Sequence, residues 1–298
     1  MFFLCAAVLS QAGETAAGKG VTAERKLSDY MPLLRNSTYN TAVYVLDSGK
    51  AGMNVLIVGG THGGERAGII AADLLARHAV PEQGRLFVIP RLNRSSGRLL
   101  PLEVQGEDDG DRYFPPGSST ALPGYERRNI NRAYPGAAEA GLTQKIALAV
   151  MNLLTVENID LAIDLHETGT ASNLAWHIIA NPKNADIAAA AVFDLEEKNI
   201  TMYMDISPEG MHGLSHKEWG DRTGANAFLV ETSELAPLRT RTAVHLETIA
   251  SLIACTGAVR GKFFTYTGVP DYAYPENDGP GQDLCLPGTF HFSPEGRK

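Results

Sequence analysis

Continuous apolar runs, rather than alternating ones, are the feature of this chain that most restricts its fold. Residues 55–58 and 227–230 are two such runs. A strand with apolar side chains in both directions is covered on both faces of its sheet. Segments with helical spacing of apolar residues alternate with these strands. The sequence therefore predicts an α/β fold, a three-layer sandwich around a mixed, mostly parallel central sheet.

The pattern also predicts where the elements lie. Strands are expected at residues 42–46, 54–58, 85–89, 160–165, 175–180 and 227–231. Helices are expected at residues 65–78, 143–155, 185–195 and 238–259. Residues 92–141 have no persistent pattern, and so long a connection in a compact domain is functional or disordered. We expect one domain at 22–265, between a leader at 1–21 and a Pro/Gly-rich tail at 266–298.

The charge of the chain argues against one class of partner. The 298 residues have a formal net charge of −8, and no run is rich in Lys or Arg. A general nucleic-acid-binding protein normally has a basic stripe, so no nucleic-acid partner is expected. An acidic protein can still bind a small anion through one or two local arginines.

The first residues resemble a secretory signal. Residues 1–9 form a short apolar run, and small and polar residues follow it. The usual positive charge at the start is missing, but the pattern favours an exported, periplasmic protein over a cytoplasmic one. No other segment approaches the roughly 18 uncharged apolar residues of a membrane-spanning helix, so no membrane span is expected.

The three cysteines indicate neither a metal site nor a disulfide scaffold. Cys5, Cys255 and Cys285 have neither a metal-type CxxC spacing nor the number for a disulfide scaffold. A disulfide between Cys255 and Cys285 and two separate thiols both remain open.

The loop after the first apolar run contains a candidate metal-binding pair. His62 and Glu65 lie three apart in Gly-Gly-Thr-His-Gly-Gly-Glu, residues 59–65. Glycines on both sides let the backbone turn sharply and approach an ion closely. A third ligand would complete a catalytic zinc site with one position open to water. Alone, the His-x-x-Glu spacing is weak evidence for a metal site, because it occurs by chance in many proteins.

His166 is the candidate third ligand. It follows the apolar residues 161–165, at the edge where open α/β sheets bind their ligands. Asp164 lies two residues earlier, so both side chains share one face of the strand, and the carboxylate can orient a metal-bound imidazole. A single histidine at the end of a strand is more often structural than a metal ligand. Together with the His62–Glu65 pair, the ligand role is the favoured interpretation.

Glu231 is the candidate general base. It ends the apolar run 227–230 and therefore reaches the same edge of the sheet. A carboxylate there is costly unless it is solvated, paired or reactive. Beside a metal-bound water it can take the proton of that water. A salt bridge to a loop arginine is the alternative, and Glu234, nearer to solvent, is a poorer candidate.

Arginine and asparagine side chains cluster in the long loop at residues 126–136. Arg132 can hold a carboxylate through two parallel hydrogen bonds, and Asn131 can add a donor beside it. A solvated charged loop is the default interpretation. The position of the cluster between the two halves of the zinc site favours substrate binding.

These parts, in this order, resemble the zinc carboxypeptidase superfamily. Residues 164–173, Asp-Leu-His-Glu-Thr-Gly-Thr-Ala-Ser-Asn, and the loop 59–65 are most similar to its succinylglutamate desuccinylase/aspartoacylase branch. The resemblance covers about residues 54–259. It implies one Zn²⁺ per chain, held by His62, Glu65 and His166. It also implies Glu231 as catalytic base, with Asn131 and Arg132 binding the substrate carboxylate.

Two departures from the family pattern are visible. The family usually has Asp-x-Asn-Arg where this chain begins with Asn129, so the contribution of the Asp is expected to be absent. The tail after residue 259 is also expected to be too short for the C-terminal β domain of the deacylase branch.

The arginine that stabilises the transition state is ambiguous. Arg112, followed by a tyrosine, best matches the family segment, and Arg128 is the second choice. A catalytic tyrosine cannot be ranked among Tyr134, Tyr203 and Tyr266. Three of the remaining histidines, His78, His177 and His245, are expected to be structural, with His177 lying away from the site. The other two, His212 and His216, are expected on a Gly-containing loop that can cover the site.

The resemblance implies a zinc-dependent hydrolase that cleaves an amide bond next to a free carboxylate. Its partner would be a small carboxylated substrate, either a peptide C-terminus, as for a carboxypeptidase, or an N-acyl amino acid, as for a deacylase. The alternatives are an inactive carboxylate- or peptide-binding protein on the same fold and a zinc esterase.

Overall fold

An eight-stranded mixed sheet forms the centre of the structure, a computed structural model that describes residues 20–94, 128–169, 173–257 and 263–266. The strand order is β1-β2-β5-β3-β6-β9-β7-β8, and β10 pairs separately with β4. The strands are β1 Ala23–Lys26, β2 Ala42–Asp47, β3 Asn54–Gly59, β4 Ala79–Pro81, β5 Arg85–Ile89, β6 Leu161–Thr168, β7 His177–Ala180, β8 Tyr203–Ile206, β9 Asn226–Ser233 and β10 Phe264–Tyr266.

The central strands run parallel, as predicted. β5, β3, β6 and β9 are parallel neighbours, and β7 and β8 are parallel to each other. β1 pairs with β2, β2 with β5, and β7 with β9 in antiparallel fashion. The sheet is therefore mixed and mostly parallel, which confirms the predicted fold class.

Helices cover both faces of the sheet. They are α1 Arg66–His78, α2 Leu142–Val156, α3 Ala185–Glu197, α4 Ser215–Thr223 and α5 Leu238–Cys255. Side chains of α1, α3 and α5 join one hydrophobic core, and those of α2 and Trp219 of α4 join a second core on the opposite face. These two cores explain why residues 55–58 are apolar in both directions. Within the described residues, no helix has the length and apolarity needed to span a bilayer.

The predicted strands and helices are all present, with shifted ends. β6 and β9 continue to Thr168 and Ser233, so His166 and Glu231 lie inside strands rather than at their ends. The last helix ends at Cys255 instead of residue 259. The leader to residue 19, the tail from residue 267, Cys5 and Cys285 lie outside the described residues.

The elements missed by the sequence pattern are short or polar. The strands β1, β4, β8 and β10 are three or four residues long, too short for a pattern to show. Helix α4 is mostly polar, and it ends at Gly224, whose φ of 84° terminates it in the left-handed region. The expectation of a loop around His216 is therefore wrong, because this residue lies in α4.

A close backbone contact holds helix α1 against strand β6. A Cβ atom added to Gly68 would lie 2.7 Å from the carbonyl oxygen of Leu165. Only glycine lets the helix come so near to the strand. Since Glu65 directly precedes α1 and His166 directly follows Leu165, this contact fixes the distance between them.

We predict that Gly68→Ala destabilises the protein by about 1–3 kcal/mol, because the methyl group forces α1 away from β6. This loss occurs although alanine is favoured over glycine in a helix by about 1 kcal/mol. Chemical denaturation measures the change. Gly169→Ala is the matched control, since its Cβ would meet only the Glu234 side chain at 3.6 Å. Equal stability of the two variants would contradict the proposed contact.

Candidate metal centre

Three buried side chains converge at the carboxyl edge of the sheet. The Nδ1 atom of His62 lies 2.6 Å from Oε1 of Glu65, and the Nδ1 atom of His166 lies 3.1 Å from Oε2 of the same carboxylate. The two Nδ1 atoms are 3.2 Å apart. His62, Glu65 and His166 therefore offer three ligand atoms within the reach of one ion, as the sequence predicted.

The opposite ring nitrogens face oxygen atoms. Nε2 of His62 lies 2.9 Å from Oδ1 of Asn129, which also accepts from the backbone N–H of Asn131 and is thereby identified as the oxygen. Nε2 of His166 lies 2.9 Å from Oδ2 of Asp164. Both Nε2 atoms therefore carry protons, because their neighbours only accept. In the neutral rings the Nδ1 lone pairs then point toward Glu65.

This donor set fits a divalent cation. Two imidazole lone pairs and a carboxylate at such short separations repel one another unless a positive charge lies between them. Their identity matches the His₂Glu set of catalytic zinc sites. The outer contacts to Asn129 and Asp164 correspond to the oxygen partners that usually orient metal-bound histidines.

The charges at the site favour a cation too. Burial raises the pKa of Glu65, but His62 and His166 outweigh it and hold that pKa at about 2. Burial also lowers the pKa of His166, whereas Asp164 and Glu65 outweigh it and raise that pKa. The two carboxylates thus favour a positive charge between them, whether a proton or a metal ion supplies it.

Asn129 corrects one expectation drawn from the family pattern. The negative charge of the usual Asp is absent, but the buried amide oxygen of Asn129 still accepts from His62. Thr61, which the sequence did not single out, donates its hydroxyl to Oδ1 of Asp164 at 2.7 Å. Each of the two candidate ligand histidines thus has an oxygen partner, and only Asp164 of the two partners is charged.

A buried ion pair supports the site from behind. One carboxylate oxygen of Glu167 accepts from the backbone N–H of Ala67, and the other lies 2.6 Å from Nη1 of Arg241. Glu167 follows His166 and points to the opposite face of β6. It therefore ties the first turn of α1 and the helix α5 to the strand that carries the ligand.

Glu231 lies beside the candidate metal ligands. It is paired in register with His166 across β6 and β9, so the two side chains share one face. Within the described part of the chain, its Oε2 atom is buried without a hydrogen-bond partner. Burial raises the pKa of Glu231 to about 8; His166 lowers this pKa, while nearby carboxylates, Glu65 first, raise it further. Glu234 is exposed to solvent, in agreement with its lower rank.

The predicted carboxylate clamp is built into the fold more tightly than expected. The Oδ1 atom of Asn131 accepts from the backbone N–H of Ser215 at 2.8 Å and so fixes the start of α4. Nη1 of Arg132 donates to the backbone oxygen of Asn131 at 2.7 Å. Arg128 directly precedes the histidine partner Asn129, whereas Arg112 lies outside the described residues. The choice between these two arginines stays open.

The other histidines fall into two groups. His216 and His245 are buried structural residues: burial lowers their pKa to about 4 and about 3, and each contacts a hydroxyl group, that of Ser207 at 2.6 Å and that of Thr232 at 3.1 Å. His177 was expected to lie away from the site, and this was wrong. It is paired in register with Glu231.

The tyrosine candidates also separate. Tyr134 is fully buried, with its ring edge-on to Trp219 at 5.5 Å, so the fold covers it completely. Tyr203 is 55% exposed and lies on β8. The side chain of Tyr266 is not among the described ones.

Comparison with known proteins agrees with this geometry. Residues 51–254, more than half of the chain, match the succinylglutamate desuccinylase/aspartoacylase catalytic domain. The chain belongs to the succinylglutamate desuccinylase/aspartoacylase family. The predicted resemblance is thereby confirmed.

Individual relatives of this desuccinylase/aspartoacylase family member are distant. N-alpha-acetyl-L-2,4-diaminobutyric acid deacetylase from Halomonas elongata is 30% identical over 120 residues, which are 40% of this chain and 29% of the relative. A succinylglutamate desuccinylase/aspartoacylase structure from Rhodobacter sphaeroides has a TM-score of 0.54 at 20% identity, covering 75% of this chain and 61% of its own.

A similar level of likeness extends to two further solved structures. The product-bound ectoine utilization protein EutE (DoeB) from Ruegeria pomeroyi has a TM-score of 0.51 at 22% identity, covering 74% of this chain and 62% of its own. Product-bound Csd4, a cell shape determinant protein from Helicobacter pylori, has a TM-score of 0.52 at 16% identity, covering 73% and 53%. The chain spans less than two thirds of the length of these relatives, and the structural likeness shows a shared fold.

We predict that Asn129→Ala weakens zinc binding about 10- to 100-fold, because His62 loses the acceptor that orients its ring. Titration against a competing chelator measures the affinity. Asn152→Ala is the matched control, since this amide bonds the backbone oxygen of Tyr30, outside the metal centre. Unchanged affinity in a folded Asn129→Ala protein would show that this contact does not support the site.

Proposed function

We propose that this protein is a zinc-dependent hydrolase that cleaves an amide bond next to a free carboxylate. One observation carries the proposal: the ligand atoms of His62, Glu65 and His166 converge, and Glu231 lies next to His166 in register, with its Oε2 atom buried and without a hydrogen-bond partner among the described residues. Membership of the desuccinylase/aspartoacylase family supports amide hydrolysis.

His62, Glu65 and His166 would hold one Zn²⁺ ion. When bound, zinc lowers the pKa of a coordinated water toward about 7 and polarises a carbonyl group. Asn129 and Asp164 keep the two imidazole rings oriented through their Nε2 protons. The Gly68 contact and the Glu167–Arg241 pair keep the helix and the strand that carry the ligands at a fixed distance.

Glu231 would serve as general base and then as general acid. It removes a proton from the water that attacks the scissile carbonyl and delivers it to the departing nitrogen. Burial raises the pKa of its carboxyl group, which makes the carboxylate a stronger base toward the proton of the water. Arg112 or Arg128 would donate to the developing oxyanion, an interaction worth roughly 3 kcal/mol in a well-placed site.

Asn131 and Arg132 would bind the carboxylate of the substrate. The oxygen of the Asn131 side chain is engaged by Ser215, which turns its amide group into a fixed donor. The guanidinium of Arg132, held at the backbone of Asn131, supplies the positive charge. The proposed substrate is an N-acyl amino acid, because both the family and the deacetylase from Halomonas elongata are named for the removal of acyl groups.

The two other hypotheses differ in what they predict for the zinc-loaded protein. An inactive binding protein would bind N-acyl amino acids and peptides without turnover. An esterase would cleave nitrophenyl esters and leave N-acyl amino acids intact. Comparing these compounds in one assay tests the proposed amide specificity.

We predict that Glu231→Gln keeps zinc but lowers kcat by a factor of roughly 10²–10⁴, the usual contribution of a general base. The amide has the same shape as the carboxylate and cannot take the proton. Metal analysis and kcat for N-acyl amino acids measure the two properties in the same sample.

Glu234→Gln is the matched control, since Glu234 is exposed and lies three residues further along the chain. It should keep activity within about twofold, as surface changes usually do. Full activity of Glu231→Gln would rule out the role assigned to Glu231.

A further inference from the structure

A single row of side chains extends from the metal centre across the sheet. His166 pairs with Glu231, Glu231 with His177, and His177 with Tyr203. Residues paired in this way point to the same face, and neighbouring strands lie about 4.8 Å apart. The row therefore leads from a metal ligand, past the proposed base, to β8 at the edge of the sheet.

The ring of His177 has a defined protonation pattern. Its Nδ1 atom lies 2.9 Å from the backbone oxygen of Ala175, which can only accept, so Nδ1 carries the proton. In the neutral ring, Nε2 is then a hydrogen-bond acceptor that faces away from this carbonyl. Among the described residues, no ion pair joins His177 to Glu231.

The backbone before His177 adopts a costly conformation. Trp176 has a φ of 64°, in the left-handed region that non-glycine residues rarely occupy. Its carbonyl oxygen accepts from the N–H of Tyr203 at 2.7 Å, which holds this conformation in place. Strained residues of this kind cluster at binding and catalytic sites. The strain here aligns the start of β7 with β8.

Tyr203 adds an accessible aromatic surface. Its ring centroid lies 5.4 Å from that of His177, with the two planes tilted by 36°. The side chain is 55% exposed. A ligand that extends along the row would find first an acceptor nitrogen and then an apolar ring face.

The position of the proposed clamp indicates which part of a substrate would reach this row. His62 follows β3, on one side of β6, and Asn129 connects it to the turn that carries Arg132. Glu231 and His177 lie on the other side of β6. Because His177 neighbours Glu231, an acyl group joined to an amide at the metal centre can extend along this row toward β7.

We propose that His177 and Tyr203 form a subsite for an acyl group that contains an amide N–H, such as an N-acetylglycyl group. Nε2 of His177 accepts a hydrogen bond from that N–H, and the ring of Tyr203 packs against the adjoining atoms. The inference rests on the proposed function. It narrows the substrate class to N-acylaminoacyl amino acids and short N-blocked peptides.

Equilibrium binding to the zinc-loaded Glu231→Gln protein tests the subsite without turnover. The probes are N-acetylglycyl-L-alanine and N-acetyl-L-alanine, which share the carboxylate and differ in the extra amide. The longer compound is expected to bind at least fivefold more tightly. Adding His177→Phe, which keeps a ring beside Tyr203, should weaken the binding of the longer compound about fivefold, as expected for the loss of one hydrogen bond. The shorter compound should change less than twofold.

Tyr203→Leu is the second variant and should weaken the binding of the longer compound alone. It tests the subsite even if His177→Phe fails to fold. Phe193→Leu, an exposed aromatic residue on α3, is the control and should change neither affinity. Three results would overturn the subsite. The variants could lose affinity equally for both compounds, they could lose none, or the Glu231→Gln protein could show no preference for the longer compound. Failure of the proposed function appears separately, as absence of cleavage of both compounds by the wild-type protein with zinc bound.

Discussion

This structure depends on one constraint: the negative charges of two buried carboxylates must be compensated by positive charge. Glu65 and Asp164 are both excluded from solvent, and burial alone would favour their neutral forms. His62 and His166 reverse that preference for Glu65, and His166 reverses it for Asp164. The charge balance is met only while β3, α1 and β6 keep their spacing, because each carries part of the set. The close contact of Gly68 with β6 and the anchoring of Glu167 therefore serve the same purpose as the ligands themselves.

The sequence predicted the parts of this site that repeat along regular elements. Continuous apolar runs located β3, β6 and β9, and the residues at or after their ends located the candidate ligands and Glu231. Other parts depend on contacts between distant segments. Asn129 was expected to leave a gap, but the loop brings its amide oxygen to His62, which no spacing rule shows. His177 was missed because the sequence alone does not reveal that β7 pairs antiparallel with β9 and thereby places it beside Glu231.

The oxygen partners of the two histidines differ in charge. Asp164 gives His166 a charged partner, whereas Asn129 gives His62 a neutral one. A charged partner raises the basicity of a ligand more than a neutral one does. His166 should therefore be the stronger donor of the two. The strand β6, which carries His166, is paired over eight residues with β9, which carries Glu231.

The central claim is that His62, Glu65 and His166 bind one zinc ion through the atoms that converge in the structure. Anomalous diffraction from crystals grown with zinc, recorded on both sides of the zinc absorption edge, tests this directly. The account predicts one strong peak within bonding distance of both Nδ1 atoms and of the Glu65 carboxylate. A fully loaded crystal with its peak elsewhere, or no peak between these three side chains, would contradict it.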